Sequence, residues 1–330
     1  MKRNSSMKAV LLSWVIAVLF IGSVQIAESG ELGHYMPGVA SIRDFVVPNE
    51  PNFYYLQYNM YYTADKYKDR DGDTADELSL GPVTVDVDAD IDVIAIVPMF
   101  LWVSPWEVLG AKYAAWVTTP IQNISVQASL STQTRFGADI DEEQWGLGDI
   151  SIRPIWLGWN SKHFAISLGY DVYAPTGKYD DEDVDNTGLG FWSHGFQAAI
   201  TWFPWEHQGT AVAVAGTYEI HGEKDDVDIT PGDRFTLEYG VSQYLPVNKA
   251  QTLLAEFGIT GYGQWQVEED SGSDVIEALN TKDEIYGIGG QFSLSYIPWN
   301  AALTFRYLTE YDAEARFEGE LFTICLAKGF

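Results

Sequence analysis

The sequence contains very little cysteine and few basic residues. Cys325 is the only cysteine among 330 residues, which excludes a disulfide framework and any zinc site built from several cysteine ligands. Lysine and arginine together number 19 against 47 aspartates and glutamates, so the formal net charge is -28. Nucleic acids and anionic lipid head groups are bound through basic patches. We therefore expect no nucleic-acid partner for this chain.

Long apolar runs are absent after residue 30, so we expect no transmembrane helix in that part of the chain. One apolar run, residues 9–24, follows basic residues and precedes small ones. This pattern is typical of a secretory signal peptide over residues 1–29, cleaved after about Ala27 or Ser29. The alternative is an uncleaved anchor, although the run spans only about 24 Å as a helix, less than the hydrocarbon core of a bilayer. The pattern predicts a mature protein outside the cytoplasm.

What the sequence does contain is apolar–polar alternation with the period of a β-strand. Over residues 83–97 the odd positions are valine, isoleucine or alanine, and four even positions carry Asp86, Asp88, Asp90 and Asp92. Such a strand has one apolar face and one face of carboxylates. A soluble sandwich would bury the apolar face against a second sheet. A membrane barrel would turn it to lipid and the aspartates to water, and we expect the barrel.

The same alternation recurs in several segments that are longer than the usual strands of soluble sheets. In a barrel, the apolar face of each segment is expected to contact lipid. The apolar faces are formed by Tyr54, Leu56, Tyr58, Met60 and Tyr62; by Phe164, Ile166, Leu168, Tyr170 and Val172; by Phe235, Leu237, Tyr239 and Val241; and by Tyr286, Ile288, Phe292, Leu294 and Tyr296.

The connections between these segments are of two alternating kinds. Short ones marked by proline or tryptophan occur at residues 104–106, 159–161, 203–205, 245–247 and 297–299. Longer acidic ones occur at residues 65–77, 139–143, 180–185, 223–228 and 268–274, with a shorter one near 312–314. These connections would join about twelve antiparallel strands with both chain ends on one side, the pattern of an outer-membrane barrel. We therefore predict an all-β transmembrane barrel over residues 52–330, surrounded by outer-membrane lipid and lipopolysaccharide.

Tryptophans are concentrated near both kinds of connection, which predicts two interfacial aromatic girdles. Trp145, Trp192 and Trp265 lie near the acidic loops. Beside the short turns lie Trp102, Trp106, Trp156, Trp159, Trp202, Trp205 and Trp299.

The last strand supplies a further signal of membrane insertion. Phe322, Ile324 and Leu326 share the parity of the terminal Phe330. This arrangement resembles the C-terminal signature by which barrel assembly machinery recognises outer-membrane proteins. We expect that machinery to be a partner through Phe330.

Several motifs resemble one family of outer-membrane barrels. They are Gly146-Leu147-Gly148-Asp149-Ile150, Tyr173-Ala174-Pro175-Thr176-Gly177, Asn186-Thr187-Gly188-Leu189-Gly190 and His34-Tyr35-Met36-Pro37-Gly38. Together they resemble the "meta-pathway of phenol degradation" family over essentially the whole mature chain. The resemblance implies uptake of small hydrophobic, often aromatic compounds, and it implies no enzymatic reaction. By themselves the prolines and glycines of these motifs favour turns and bends at the barrel rim over ligand contact.

Parity predicts a set of charged residues in the lumen, where they would form a constriction that selects solutes or a salt-bridged filling without conduction. We further expect the two arginines of this set to pair with neighbouring carboxylates across the lumen. The set comprises Asp149, Arg153, Asp171, Glu238, Glu256 and Arg306.

The segment before the first strand, residues 30–51, is long for a simple lead-in. We expect it to enter the barrel from the periplasmic side as a small plug, presenting His34, Tyr35 and Arg43 to the lumen.

The sequence favours a channel for hydrophobic or aromatic compounds, with a general cation-preferring diffusion pore and a barrel enzyme of the lipase or protease type as alternatives. A structural or adhesive barrel also remains open, although the loops are short for adhesion. The enzyme would need a serine–histidine or aspartate–histidine arrangement near the rim. His194 follows Ser193, but neighbours in a strand face opposite ways, so we predict no catalytic residues. We also predict no cofactor and no metal site; Asp69, Asp71 and Asp73 do not fit the spacing of a calcium loop.

Overall fold

The computed structural model describes residues 33–330 except 76, 81–82, 133–136, 182–184 and 276–279, so the predicted signal peptide lies outside the described residues. In the described part the regular secondary structure is β-strand, apart from one short 3₁₀ turn at Ile297–Trp299. None of its helices has the length and apolar character needed to cross a membrane. The strands are β1 Asn52–Lys68, β2 Glu77–Leu80, β3 Val83–Val108, β4 Ala111–Thr118, β5 Ile121–Thr132, β6 Gly137–Leu147, β7 Ile150–Asn160, β8 Phe164–Ala174, β9 Ser193–Trp202, β10 Thr210–His221, β11 Arg234–Pro246, β12 Leu253–Gln266, β13 Glu284–Tyr296, β14 Ala301–Glu314 and β15 Arg316–Gly329.

The strands form one closed antiparallel sheet. Strand β1 pairs with β15 on one edge and with β3 on the other, which closes the barrel. Strands β4 and β5 continue one another along the same edge of β3, interrupted at Thr119-Pro120, where proline cannot donate to the ladder. Strands β6 and β7 likewise form one interrupted strand, and β2 is a short arm on β3. The barrel therefore has twelve strands, which confirms the predicted fold and its outer-membrane location.

The short turns and both ends of the barrel chain lie at one end of the barrel, which we call the inner end; the longer loops lie at the outer end. Two predicted connections are displaced. Residues 104–106 lie inside β3, and the turn follows at Leu109-Gly110, where both residues have positive φ. The acidic stretch 139–143 lies inside β6 because β5 and β6 remain paired as far as Ser131 and Gly137. Asp141, Glu142 and Glu143 are exposed there, as expected for acidic side chains near the outer loops.

The outer surface of most strands follows the predicted pattern. On β8, Phe164, Ile166 and Leu168 are 45%, 44% and 46% exposed, while the intervening Ser167 is buried inside the barrel. On β11, Tyr239 and Val241 face outward and Glu238 faces inward. The girdle tryptophans are exposed where predicted at several positions, but Trp156 is buried and faces the lumen.

Strands β1 and β3 have the opposite orientation to the one predicted. Tyr58 and Met60 on β1 and Ala95 on β3 are buried inside the barrel. The outer surface carries the other parity, including Asp92, which accepts a 2.9 Å hydrogen bond from the Tyr61 hydroxyl, and Asp90. The side chains of Asp86 and Asp88 lie outside the described part of the structure.

On β3, alternation gave the wrong face because the composition of this 26-residue strand changes along its length. Over residues 93–103 both faces of the strand are apolar, so alternation there does not identify the lipid face. The outward-facing Ile94 and Phe100 contact the membrane zone, being 41% and 60% exposed. The aspartates of the same parity lie further along the 26-residue strand, toward the outer loops, where an outward carboxylate meets water.

Candidate functional site in the barrel lumen

The N-terminal segment, defined here as residues 33–51, runs through the barrel from the outer to the inner end. Near its start, the backbone N–H of His34 donates to Glu219 Oε1 at 2.7 Å, close to the outer loops. Near its end, the backbone carbonyl of Val47 accepts a 2.8 Å hydrogen bond from Asn160 Nδ2, beside an inner turn. The segment therefore extends along the length of the lumen.

Two glutamates on the barrel wall bind the outer half of this segment. Glu219 accepts hydrogen bonds from the backbone N–H groups of His34 and Tyr35, at 2.7 and 3.2 Å. Glu238 accepts from the Gly38 N–H at 2.9 Å and from the Tyr35 hydroxyl. Tyr35 is therefore held both by its backbone N–H and by its hydroxyl. The carboxylates of Glu219 and Glu238 thus accept hydrogen bonds from backbone N–H groups of the N-terminal segment, which is not part of the sheet.

Arg43 anchors the inner half of the segment. Its Nε donates to Glu256 Oε1 at 2.7 Å, and its two terminal nitrogens donate to the carbonyls of Gln208 and Gly209 in an inner turn. The guanidinium carbon lies 4.1 Å from the centre of the Tyr244 ring. Each of the three guanidinium nitrogens therefore donates one hydrogen bond to a group of the barrel wall or of its inner turn.

Arg306 does not form the carboxylate pair that parity suggested. Its Nη1 donates to the backbone carbonyls of Gly38 and Val39 in the N-terminal segment. Its Nε and Nη2 have no hydrogen-bond partner within the described residues. In the same segment, the Asp44 carboxylate accepts a 2.7 Å hydrogen bond from the backbone N–H of Ser41. Arg306 therefore binds the N-terminal segment through the backbone carbonyls of that segment.

Arg153 does pair with a carboxylate, but along the wall and not across the lumen. Its Nε and Nη2 each donate to a different oxygen of Asp171 at 2.6 Å, and its Nη1 donates to Gln197 Oε1 at 2.9 Å. The pair joins neighbouring strands β7 and β8. The guanidinium carbon also lies 5.3 Å from the ring centre of Trp116.

Asp149 joins the rim motifs to each other. Its Oδ1 accepts 2.8 Å hydrogen bonds from the N–H groups of Thr176 and Gly177, and its Oδ2 accepts one from Leu189. The remaining contact is 3.0 Å to Nε2 of His34. One carboxylate thus holds two outer-loop turns and the start of the N-terminal segment.

The glycines of these motifs allow two backbone segments to approach each other closely. A Cβ on Gly177 would lie 2.6 Å from Cα of Gly188, a distance at which one backbone must move. Strand β8 ends at Ala174, immediately before Pro175, as the sequence indicated. The motifs are therefore rim architecture, with Asp149 as the side chain that connects them.

Ser193 and His194 point in opposite directions. The Ser193 hydroxyl lies inside the barrel, 2.7 Å from Nδ1 of His34. The His194 ring lies outside and stacks on Tyr170 with ring centres 6.0 Å apart. The two adjacent residues therefore do not form a serine–histidine pair.

A cavity of about 430 Å³ lies between the N-terminal segment and a wall formed mainly by β1, β3 and β4, with Gln122 of β5 and Arg153 and Trp156 of β7 also on its border. The segment borders it with Met36, Val39 and Phe45. The wall borders it with apolar and aromatic side chains, among them Leu56, Met60, Val97, Met99, Leu101 and Trp116. Pockets of 300–1,000 Å³ with mainly apolar linings are the usual form of small-molecule sites.

The lumen is consequently divided into two unlike walls. The wall from β7 to β14 carries the charged residues that bind the N-terminal segment, including Glu219, Glu238 and Glu256. The wall from β1 to β4 is apolar and faces the cavity. All six lumen residues predicted from parity lie in the interior, and their action on a solute stays a prediction.

Sequence reasoning missed the apolar wall and Glu219. The apolar wall resembled a lipid-facing surface because both are built from the same residue types. Glu219 could have been found, since Thr217, Glu219 and His221 share the parity of three alanines on β10 and all face inward.

Comparison with known proteins places the chain among outer-membrane barrels. The profile of the family described as MetA-pathway of phenol degradation matches residues 64–324. No curated protein sequence matches the chain.

Among solved structures, the COG4313 outer membrane channel from Pseudomonas putida F1 is similar at a TM-score of 0.64 and 14% identity, covering 90% of this chain and 100% of that one. The β domain of the Bordetella autotransporter BrkA gives a TM-score of 0.43 at 7% identity, covering 85% and 100%. The first similarity establishes the fold.

Proposed function

Since its profile covers most of the sequence, the chain belongs to the MetA-pathway of phenol degradation family, and on that premise we propose that it is an outer-membrane channel for small hydrophobic or aromatic compounds. The observation that carries this proposal is the apolar cavity between the N-terminal segment and the wall of β1, β3 and β4. Burying apolar surface there removes it from water, which is the main favourable term in binding such solutes.

The cavity has features suited to a neutral aromatic ring. Trp116 and Trp156 lie on its border, and aromatic side chains pair with a ring in offset or edge-to-face geometry. The polar groups at the border include Thr118 and Gln122, which can form hydrogen bonds with a phenolic hydroxyl. Neither group requires a charge on the solute.

A general cation-preferring pore is less well supported by the same geometry. Such a pore needs carboxylates exposed to water along the conduction path. Glu219, Glu238 and Glu256 are buried, and each already accepts hydrogen bonds from the N-terminal segment. We propose that the segment in this position limits the flux of hydrophilic solutes while the apolar side remains available to hydrophobic ones.

Uptake by intact cells tests the proposal, because lipopolysaccharide makes the outer membrane a barrier to hydrophobic compounds. Cells with and without the protein would be given radiolabelled toluene, phenol and benzoate at low concentration. We expect the protein to increase uptake of the two neutral compounds. Val97→Asp, which places a charge on the cavity wall, should abolish most of the increase, whereas Val97→Thr, which is similar in shape, should reduce it less.

The control is Ile94→Thr, on the outer surface of the same strand, with a heat-modifiable gel shift to establish that each variant forms a barrel. Uptake that is unaffected by Val97→Asp in a folded barrel would contradict the proposal. Equal uptake of small hydrophilic cations and neutral aromatics would instead identify a diffusion pore. Conversion of a lipid ester or peptide by the purified protein would identify an enzyme.

A further inference from the structure

At the outer end of the lumen, two histidines and a glutamate from distant parts of the chain come together. His34 belongs to the N-terminal segment, whereas Glu219 and His221 are two residues apart on β10 and share its inward face. Nδ1 of His34 lies 3.8 Å from Glu219 Oε1, and Nδ1 of His221 lies 3.9 Å from the same oxygen. One ligand atom from each residue lies within 4.8 Å of the others.

A fourth donor completes the group. The Ser193 hydroxyl oxygen lies 2.7 Å from Nδ1 of His34 and 2.8 Å from Nδ1 of His221. Imidazole nitrogen and carboxylate oxygen are usual zinc ligands in proteins, and zinc sites are tetrahedral. Donors at about 2.0–2.1 Å from a tetrahedral ion lie about 3.4 Å apart. Each histidine nitrogen therefore needs to approach the Glu219 oxygen by only about 0.5 Å, and the Ser193 oxygen needs to move away from both nitrogens by about 0.6–0.7 Å.

The imidazole of His34 is oriented for this role before any ion binds. Its Nε2 lies 3.0 Å from Asp149 Oδ2. A carboxylate at one ring nitrogen holds the proton there and leaves the lone pair of Nδ1 directed at the metal, as in many histidine metal sites. Asp149 is itself fixed by N–H groups of the two outer-loop turns.

The electrostatic balance of the group also favours a divalent cation. Glu219 and Asp149 bring two carboxylates into a buried space beside the two imidazole rings. The neighbouring cation Arg234 pairs with Asp283 and also lies close to Glu219, so it offsets part of this negative charge. A doubly charged ion would therefore compensate the two carboxylates, and the Phe191 ring, 5.0 Å from His34 and 5.2 Å from His221, excludes water from the site.

A catalytic serine is a poor explanation of the same residues, although Ser193, His34 and Asp149 form a hydrogen-bonded chain. Ser193 is fully buried, and its hydroxyl oxygen contacts an imidazole on each of two sides. A nucleophile must be reachable by the carbon that it attacks. The burial of Ser193 prevents such an attack. A structural metal site, by contrast, is normally closed to solvent, as this group of residues is.

We propose that His34, Glu219 and His221 bind one Zn²⁺ ion, with the Ser193 hydroxyl as fourth ligand. The ion fastens the start of the N-terminal segment to β10 at the outer end of the barrel. Of the three ligands only His34 also borders the apolar cavity, and the proposed site does not depend on which solute the barrel carries.

Zinc binding by the refolded full-length mature protein tests the proposal. After treatment with a chelator, the protein is titrated with Zn²⁺ in competition with a chromogenic chelator, and with Co²⁺ to record the visible bands of tetrahedral coordination. We expect one ion per chain. Affinity should fall more than about 10-fold in His34→Ala and in His221→Ala, and about 10–100-fold in Asp149→Asn, which loses the support of a ligand.

His207→Ala is the matched control because His207 is exposed in an inner turn and should leave affinity unchanged. A heat-modifiable gel shift identifies folded samples, and Asp149→Asn keeps the test available if a histidine variant does not fold. Absence of zinc binding by the folded wild type would overturn the proposal. The proposal would also be overturned if His34→Ala and His221→Ala bound Zn²⁺ with wild-type affinity. The same holds if His207→Ala lost as much affinity for Zn²⁺ as these two variants.

Discussion

Burying a charge without a partner costs several kcal/mol, and the ionic side chains inside this barrel are arranged to limit that cost. Asp171 is fully buried and receives two hydrogen bonds from Arg153, whose remaining terminal nitrogen binds Gln197. Arg43 and Glu256 form a comparable pair at the inner end. At the residue scale, most of the interior charges are therefore engaged with the protein itself; an exception is Arg306, whose Nε and Nη2 have no hydrogen-bond partner within the described residues.

The Arg153–Asp171 pair gives a prediction for stability. Asp171→Asn would leave a buried guanidinium opposite a neutral amide, and we expect the free energy of unfolding to fall by about 3–5 kcal/mol. The double variant Arg153→Met, Asp171→Leu removes both charges and should recover much of the loss. Urea titration in phospholipid vesicles, followed by tryptophan fluorescence, measures both. If Asp171→Asn were as stable as the wild type, the buried Arg153 guanidinium would not depend on the Asp171 carboxylate for its stabilisation.

At the scale of the element, alternation and turn composition were enough to predict the strand number and the membrane location. They could not predict which face of β3 meets lipid, because residues 93–103 are apolar on both faces and the decisive contact is with the N-terminal segment. The segment itself contains no regular secondary structure, so no periodicity indicates its path. Its position follows from long-range contacts such as Arg43 with Glu256.

Removal of the N-terminal segment should change conductance in a specific way. Deleting residues 33–46 takes away the donors that now satisfy Glu219, Glu238 and Glu256, and their carboxylates would then face lumen water. We expect a larger single-channel conductance and a stronger preference for cations in a planar bilayer. The reversal potential in a KCl gradient measures the preference.

The matched control is the same deletion combined with Glu238→Gln and Glu256→Gln. It should keep the larger conductance and lose much of the cation preference, because the exposed side chains are then neutral. If the deletion leaves conductance at the wild-type level, the segment does not obstruct the lumen.

At the scale of the whole molecule, the net charge of -28 is distributed unevenly. Acidic residues at the inner turns are partly offset by lysines, as in the pairs Lys162–Glu206 and Lys112–Glu107. The outer loops carry exposed carboxylates such as Asp71, Asp180, Asp181 and Glu268. A solute approaching from outside therefore meets a negative field before it reaches the apolar cavity, and this field repels anions.

This field predicts that discrimination between neutral and anionic aromatics depends on salt. Phenol is neutral at pH 7 and benzoate is an anion, so only benzoate is repelled. The screening length shortens from about 30 Å at 0.01 M salt to about 8 Å at 0.15 M. We expect the ratio of benzoate to phenol uptake to rise over that range in cells that carry the protein. Asp180→Asn with Asp181→Asn should raise the ratio at low salt and flatten its dependence on salt. A ratio that stays constant across the range would mean that selection takes place entirely within the apolar cavity, where a carboxylate is excluded by the cost of its desolvation and no surface charge is required.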